Sequence, residues 1–138
     1  MRNAMLIIGL LIAGVLAGVM LVDEGELVTL RTQGPDGAHY DTQLWVIERE
    51  GEFYLRAHFP GAKWLTRLRN HPEVEIRRGD ASESFLALPV DDPEVRRAVN
   101  QAMAAKYGFA DRLASAVWSP EKSIPVHLDR NSGPGQHP

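Results

Sequence analysis

The chain has 138 residues, a formal charge of −3 at pH 7 and no cysteine. With the apolar N-terminus set aside, that length holds one domain of about 100 residues, enough to bury a core without staples. Disulfides, thiolate metal sites and a cysteine nucleophile are excluded. The mild acidity speaks against a general nucleic-acid binder, which carries a basic face across the domain.

Ala4 to Val22, AMLIIGLLIAGVLAGVMLV, is a run of 19 residues without a charge. As a helix it is about 28 Å long, close to the ~30 Å hydrocarbon core of a bilayer. Residues 1–22 therefore read as one N-terminal transmembrane helix, a single-pass anchor. The other reading is a signal peptide cut after the small residues of VLA ending at Ala17. Gly14 and Gly18 form a GxxxG pair suited to helix packing. Arg2 leans towards a cytoplasmic N-terminus, and the side of the membrane stays open.

Residues 23–130 form the folded domain. Glu26 to Thr32, ELVTLRT, is rich in β-branched residues and stops at the QGPDG turn. His39 to Arg49 is the second strand, EGE at 50–52 closes a hairpin, and EFYLRAHF follows with period-two alternation. Pro60-Gly61 breaks the sheet and Ala62 to Asn70 reads as a short helix. EVEIRRG and SESFLALPV make a second hairpin around Gly79-Asp80.

DDPEVRRAVNQAMAAKYG carries the clearest helix signals. Asp92 is the N-cap, Pro93 the first helical residue and Gly108 the stop. Val95, Ala98, Val99, Ala102 and Met103 form its apolar stripe. ADRLASAVW is a further short helix ending at Ser119-Pro120, SIPVHLD is the last strand, and residues 131–138 are a polar Gly/Pro tail expected to be disordered. Six short, mostly antiparallel strands with flanking helices predict a mainly β small barrel.

Lys63, Arg67, Arg69, Arg77 and Arg78 crowd one segment of this acidic chain. Lys63 and Arg67 lie at i, i+4 and repel by about 0.2–0.5 kcal/mol. Water and salt on a solvated face can offset that. So can an anion at the helix N-terminus near Gly61, with Arg56 close by and Trp64 as an apolar surface. Trp64 reads equally as a core residue closing the barrel. The five histidines show no metal-ligand spacing, so no metal site is assigned. No serine sits in a nucleophile elbow, and no phosphate-binding glycine motif occurs. Any chemistry therefore falls to a cofactor.

LVTLRTQGPDG, TQLWVI, FYLRA, KWLTRLRNHPEVEI and SIPVHLD, in that order, resemble the flavin- and deazaflavin-binding split-barrel oxidoreductases. The likeness is greatest to the deazaflavin-dependent nitroreductase branch, with pyridoxamine 5'-phosphate oxidase-like proteins as wider relatives. It spans residues 26 to 129. It implies a six-stranded split barrel, usually dimeric, that holds FMN or an 8-hydroxy-5-deazaflavin coenzyme and passes hydride to a quinone-like or nitro-aromatic acceptor. By position it implies cofactor contacts from Arg31, Thr32, Thr42, Arg56, His58, Lys63, Trp64 and Arg67, with Tyr107 towards the acceptor. Typical members carry G-R-x-S-G in the first turn. Asp36 stands here in place of cations, which favours FMN, another cofactor or loss of binding over a poly-anionic deazaflavin. The alternative on the same fold is a non-catalytic binding module at the membrane, for haem, a small hydrophobic ligand or a protein partner.

Overall fold

Val46 divides what the sequence presents as one strand into two. The structure, a computed structural model, describes residues 27–130. Its elements are β1 (Leu27–Gln33), β2 (His39–Trp45), β3 (Ile47–Arg49), β4 (Glu52–Ala57), α1 (Lys63–Asn70), β5 (Glu73–Arg78), β6 (Ala81–Pro89), α2 (Pro93–Tyr107), α3 (Phe109–Val117), a 3-10 turn (Pro120–Lys122) and β7 (Ile124–Asp129). The sheet has seven strands, not the expected six, in the order β2-β1-β5-β6-β7-β4-β3.

The extra strand comes from the break at Val46. β2 pairs with β1 from Leu27↔Trp45 to Gln33↔His39, whereas β3 pairs with β4, Ile47 opposite Tyr54. The two edges of the sheet are therefore consecutive in the chain and one residue apart. A bent strand with different partners on its two halves forces the sheet to curl into a split barrel. The bend is clamped by α2: the carbonyl of Val46 accepts from the Tyr107 hydroxyl at 2.8 Å and from Lys106 Nζ at 3.0 Å. Buried carbonyls need such partners where a ladder is interrupted.

Turn chemistry fixes the hairpins. Glu50 and Gly51 both have positive φ, 55° and 78°, the pattern of a two-residue type I′ turn between β3 and β4. The β1–β2 turn bonds to itself. Gly34 N donates to Ala38 O, Gly37 N to Gly34 O, and Ala38 N to the Asp36 carboxylate. A Cβ on Gly34 would lie 2.8 Å from the Tyr40 ring, so only glycine admits that ring over the turn.

Alternation along β1 points Val28, Leu30 and Thr32 inward, against Leu55 and Ala57 of β4 and Val126 and Leu128 of β7. From α1, Trp64, Leu65 and Leu68 join the same cluster; each buried side chain of this size stabilises by about 1.5–3 kcal/mol. α2 begins as expected, with the Asp92 carboxylate accepting from Glu94 N at 2.9 Å, and ends at Gly108. Its Val99 and Met103 pack on Ile47, and Val95 and Ala102 flank them.

The expected single-pass membrane location is corrected: no helix among the described residues is long and apolar enough to cross a membrane. The Ala4–Val22 run on which it rested, and the tail at 131–138, lie outside the described residues.

Candidate functional site

The bend at Val46 brings β2 beside β4 and leaves a seam between them. A cavity of about 220 Å³ opens there, lined by Gln43, Leu44 and Trp45 from β2, Arg56 and His58 from the β4 end, Leu27 and Met103. Trp45 is fixed by a parallel stack on Tyr107, with centroids 4.3 Å apart and planes 8° apart. Tyr107, expected towards the acceptor, is buried and its hydroxyl serves the Val46 carbonyl. The cavity lining thus combines apolar Leu27, Leu44 and Met103 and the Trp45 ring with polar Gln43, Arg56 and His58.

Arg56 is buried at 6% exposure, which demands compensation for its charge. Nη2 meets the Asp111 carboxylate at 2.6 Å and Nη1 donates to Asn100 Oδ1 at 3.2 Å. Asn100 donates to Pro120 O, and the Ser123 hydroxyl reaches both Asn100 Oδ1 and Pro120 O. Among the described residues no buried side-chain polar atom lacks a partner. His58 stacks on Trp118 at 6.0 Å. Burial first, and the Arg56 charge second, hold its imidazole below the ordinary histidine range, with Asp111 pulling the other way. His58 is therefore neutral at pH 7.

The remaining residues singled out in the sequence gather around the β1–β2 hairpin. Arg67 Nε donates to Thr32 Oγ1 at 2.8 Å, and its guanidinium lies 4.4 Å from the Tyr40 ring centroid. Thr32 is buried. Arg31 pairs with its cross-strand neighbour Asp41 at 2.9 Å. That hydrogen bond holds Asp41 below the usual carboxylate range. Trp64 is 8% exposed and belongs to the core cluster. Lys63 is exposed and Thr42 half-buried on β2. Arg56 and Arg67 share no partner: one is held by the helical layer, the other by the hairpin.

Gln43 and Asp111 were not singled out by sequence reasoning, and Met103 was read only as part of an apolar stripe. Asp111 had a signal. Phe109, Leu113 and Val117 make an i, i+4, i+8 stripe that reads as the buried face of a helix. α3 is turned the other way. Phe109, Leu113 and Val117 are 64%, 56% and 72% exposed, while Asp111 is 5% exposed. An acid opposite an apolar stripe marks a helix held by a charge rather than by its apolar face.

Fold and cavity together define a split-barrel protein with a ring-sized, aromatic-walled cleft. The chain belongs to the F420H(2)-dependent quinone reductase family, whose sequence model matches residues 15–130. That span begins inside the Ala4–Val22 run. No curated protein matches the chain. Among solved structures it is similar to a conserved hypothetical protein from Mycobacterium tuberculosis, at 23% identity over 81% of this chain and 77% of that one, TM-score 0.61. It is also similar to HutZ, the heme storage protein from Vibrio cholerae, at 16% identity over 81% and 86%, TM-score 0.62. An F420-H2 dependent reductase matches at 17% identity over 74% and 93%, TM-score 0.58. These likenesses establish the split-barrel fold; since one fold hosts many functions, the activity rests on the family. The family is one of deazaflavin-dependent oxidoreductases, which bears out the resemblance carried by TQLWVI, FYLRA and KWLTRLRNHPEVEI. The preference for FMN drawn from Asp36 finds no support there. Asp36 serves its own turn, accepting from Ala38 N at 3.1 Å.

Proposed function

We propose that the protein uses reduced F420 to reduce a quinone-like acceptor, with the seam cavity holding the deazaflavin ring. The observation that carries this reading is the cavity's mixed lining, the Trp45 ring and apolar side chains together with polar Gln43, Arg56 and His58. A flat heteroaromatic ring needs that combination, with apolar contact on its faces and hydrogen-bond partners along one side. At about 220 Å³ the cavity falls below the roughly 300–1,000 Å³ of whole-ligand pockets, so it fits the ring and not the entire coenzyme.

When bound, the reduced deazaflavin supplies a hydride. The chain's own part is to bind, orient and handle charge. Trp45, locked by Tyr107, sets the plane of the ring. Gln43 and Arg56 face its polar side, and Arg56 stabilises negative charge there. Quinone reduction also takes up a proton. His58, neutral at pH 7 and on the same edge, exchanges it through a ring nitrogen after protonation from solvent. A nitro-aromatic acceptor makes the same demands. Oxidation of F420H2 followed by absorbance, with and without a soluble benzoquinone or naphthoquinone, tests the activity. Acceptor-independent rates, or no oxidation at all, contradict it.

The working unit is a homodimer in this reading. Neither Trp45 nor Trp64 offers an exposed face for pairing in the single chain, where Trp64 is buried and Trp45 is packed on Tyr107. What supports pairing instead is the outward apolar stripe of α3, continuous with Trp118 and Phe59, whose rings stack at 5.1 Å.

A further inference from the structure

Arg56 has a second cavity on its other side. It is a crevice of about 570 Å³, within the size range of small-molecule sites, and Arg56, Arg96 and Arg97 line it together with Asn100 and Gln101. Asp111 and Glu121 also line it. Asp111 is already matched by Arg56 at 2.6 Å, which leaves Arg96 and Arg97 against Glu121. Arg96 holds Ser123 O through Nε at 2.8 Å, and its other acidic neighbour, Asp91, is 3.7 Å away and fully solvated. The crevice therefore carries net positive charge beside side-chain amide donors. A narrow space of about 10 Å³, bordered by Ser115 and Trp118, touches both Arg56 and His58 between crevice and seam.

The β1–β2 turn, in contrast, spends most of its donors on itself. Gly34, Gly37 and Ala38 use their amide N–H groups inside the turn, and Pro35 has none. Asp36 adds a negative charge, and the nearest hairpin cation, Arg31, is paired with Asp41. Arg67 is committed to Thr32 and Tyr40.

We propose that the arginine crevice receives the anionic tail of the deazaflavin coenzyme, so that Arg96 and Arg97, not the β1–β2 turn, select for its phosphate and carboxylate groups. This rests on the ring occupying the seam cavity. Arg56 is the hinge of the assignment, since it lines both the seam and the crevice.

The test compares F420 with the tail-less deazaflavin, which carries the same ring on a neutral chain, in equilibrium titrations of the full-length protein. Wild type binds F420 at least about tenfold more tightly, and the gap narrows as salt rises. Arg97→Glu and the double variant Arg96→Ala/Arg97→Ala each weaken F420 by about tenfold and leave the tail-less ring unchanged. Lys63→Ala/Arg67→Ala leaves the F420-to-ring ratio as in wild type. Arg96 also holds Ser123, so melting curves accompany the double variant, and the exposed Arg97→Glu decides if it melts early. Equal affinity for the two ligands, or an unchanged ratio in Arg97→Glu, overturns the crevice assignment and leaves the ring site standing. Binding of neither ligand to wild type overturns both.

Discussion

Asp111 reaches Arg56 at 2.6 Å from a helix whose large apolar side chains all face outward. α3 is thus seated on the barrel by a buried ion pair, and the same pair fixes the guanidinium that lines the seam cavity.

Removing one partner of a buried pair costs about 3–5 kcal/mol, because the other charge is left without compensation. Asn100 still accepts from Arg56, which places Asp111→Ala near the lower end. Urea denaturation of Asp111→Ala is expected to show a loss of about 3 kcal/mol. The double change Arg56→Met/Asp111→Leu recovers most of it, since no charge is stranded. A loss below about 1 kcal/mol, the level of a surface pair, contradicts the buried-latch account.

The clamp on Val46 predicts a smaller effect. Tyr107→Phe removes one hydrogen bond to a carbonyl that Lys106 also serves. The carbonyl is not orphaned, so the loss is about 0.5–1 kcal/mol in denaturant unfolding. Changing Lys106→Met as well leaves the carbonyl without either donor, and the double variant loses more than the sum of the two single changes.

The seam histidine sets a pH dependence. His58 is depressed in the folded state and ordinary, near 6.5, in the unfolded chain. Between those two values the unfolded chain binds more protons, so stability falls as pH drops below about 6.5 and is fully present above it. Melting temperatures of wild type and His58→Gln at pH 7.5 and 5.5 separate this group from the rest, and the wild type loses more on acidification. An equal loss in both contradicts the shift.

The barrel was legible where local chemistry and periodicity agree. Asp92-Pro93 and Gly108 bound α2 as read, Glu50-Gly51 closes its hairpin, and Phe53, Leu55 and Ala57 of FYLRA share the core cluster, although Tyr54 and Arg56 between them are covered as well. The strand count was not legible, because nothing in TQLWVIER shows that two halves of a continuous strand take different partners. The same bend makes the seam, so Gln43 and Met103 entered the site only through tertiary pairing. The seating of α3 was not legible either, because its periodicity gives the apolar face but not which side meets the barrel. Arg56 was named from the anion reading and His58 from the resemblance, and their surroundings, not their spacing, decide what they can do.

The outward stripe of α3 predicts self-association. Leu113→Glu/Val117→Glu places charge on that face without touching Asp111, and sedimentation should shift from a dimer to a monomer at micromolar concentration. A wild type that sediments only as monomer, or a double variant that stays paired, contradicts the stripe as the contact.

The account centres on a deazaflavin ring lying against Trp45 in the seam. Titration of the protein with F420, followed by tryptophan fluorescence in wild type, Trp45→Phe and Trp118→Phe, tests this most directly. Saturable quenching is expected in wild type and in Trp118→Phe. In Trp45→Phe most of the quenching disappears, while binding measured by calorimetry persists with at most about a tenfold loss. Undiminished quenching in Trp45→Phe, or no saturable binding to wild type, contradicts the site.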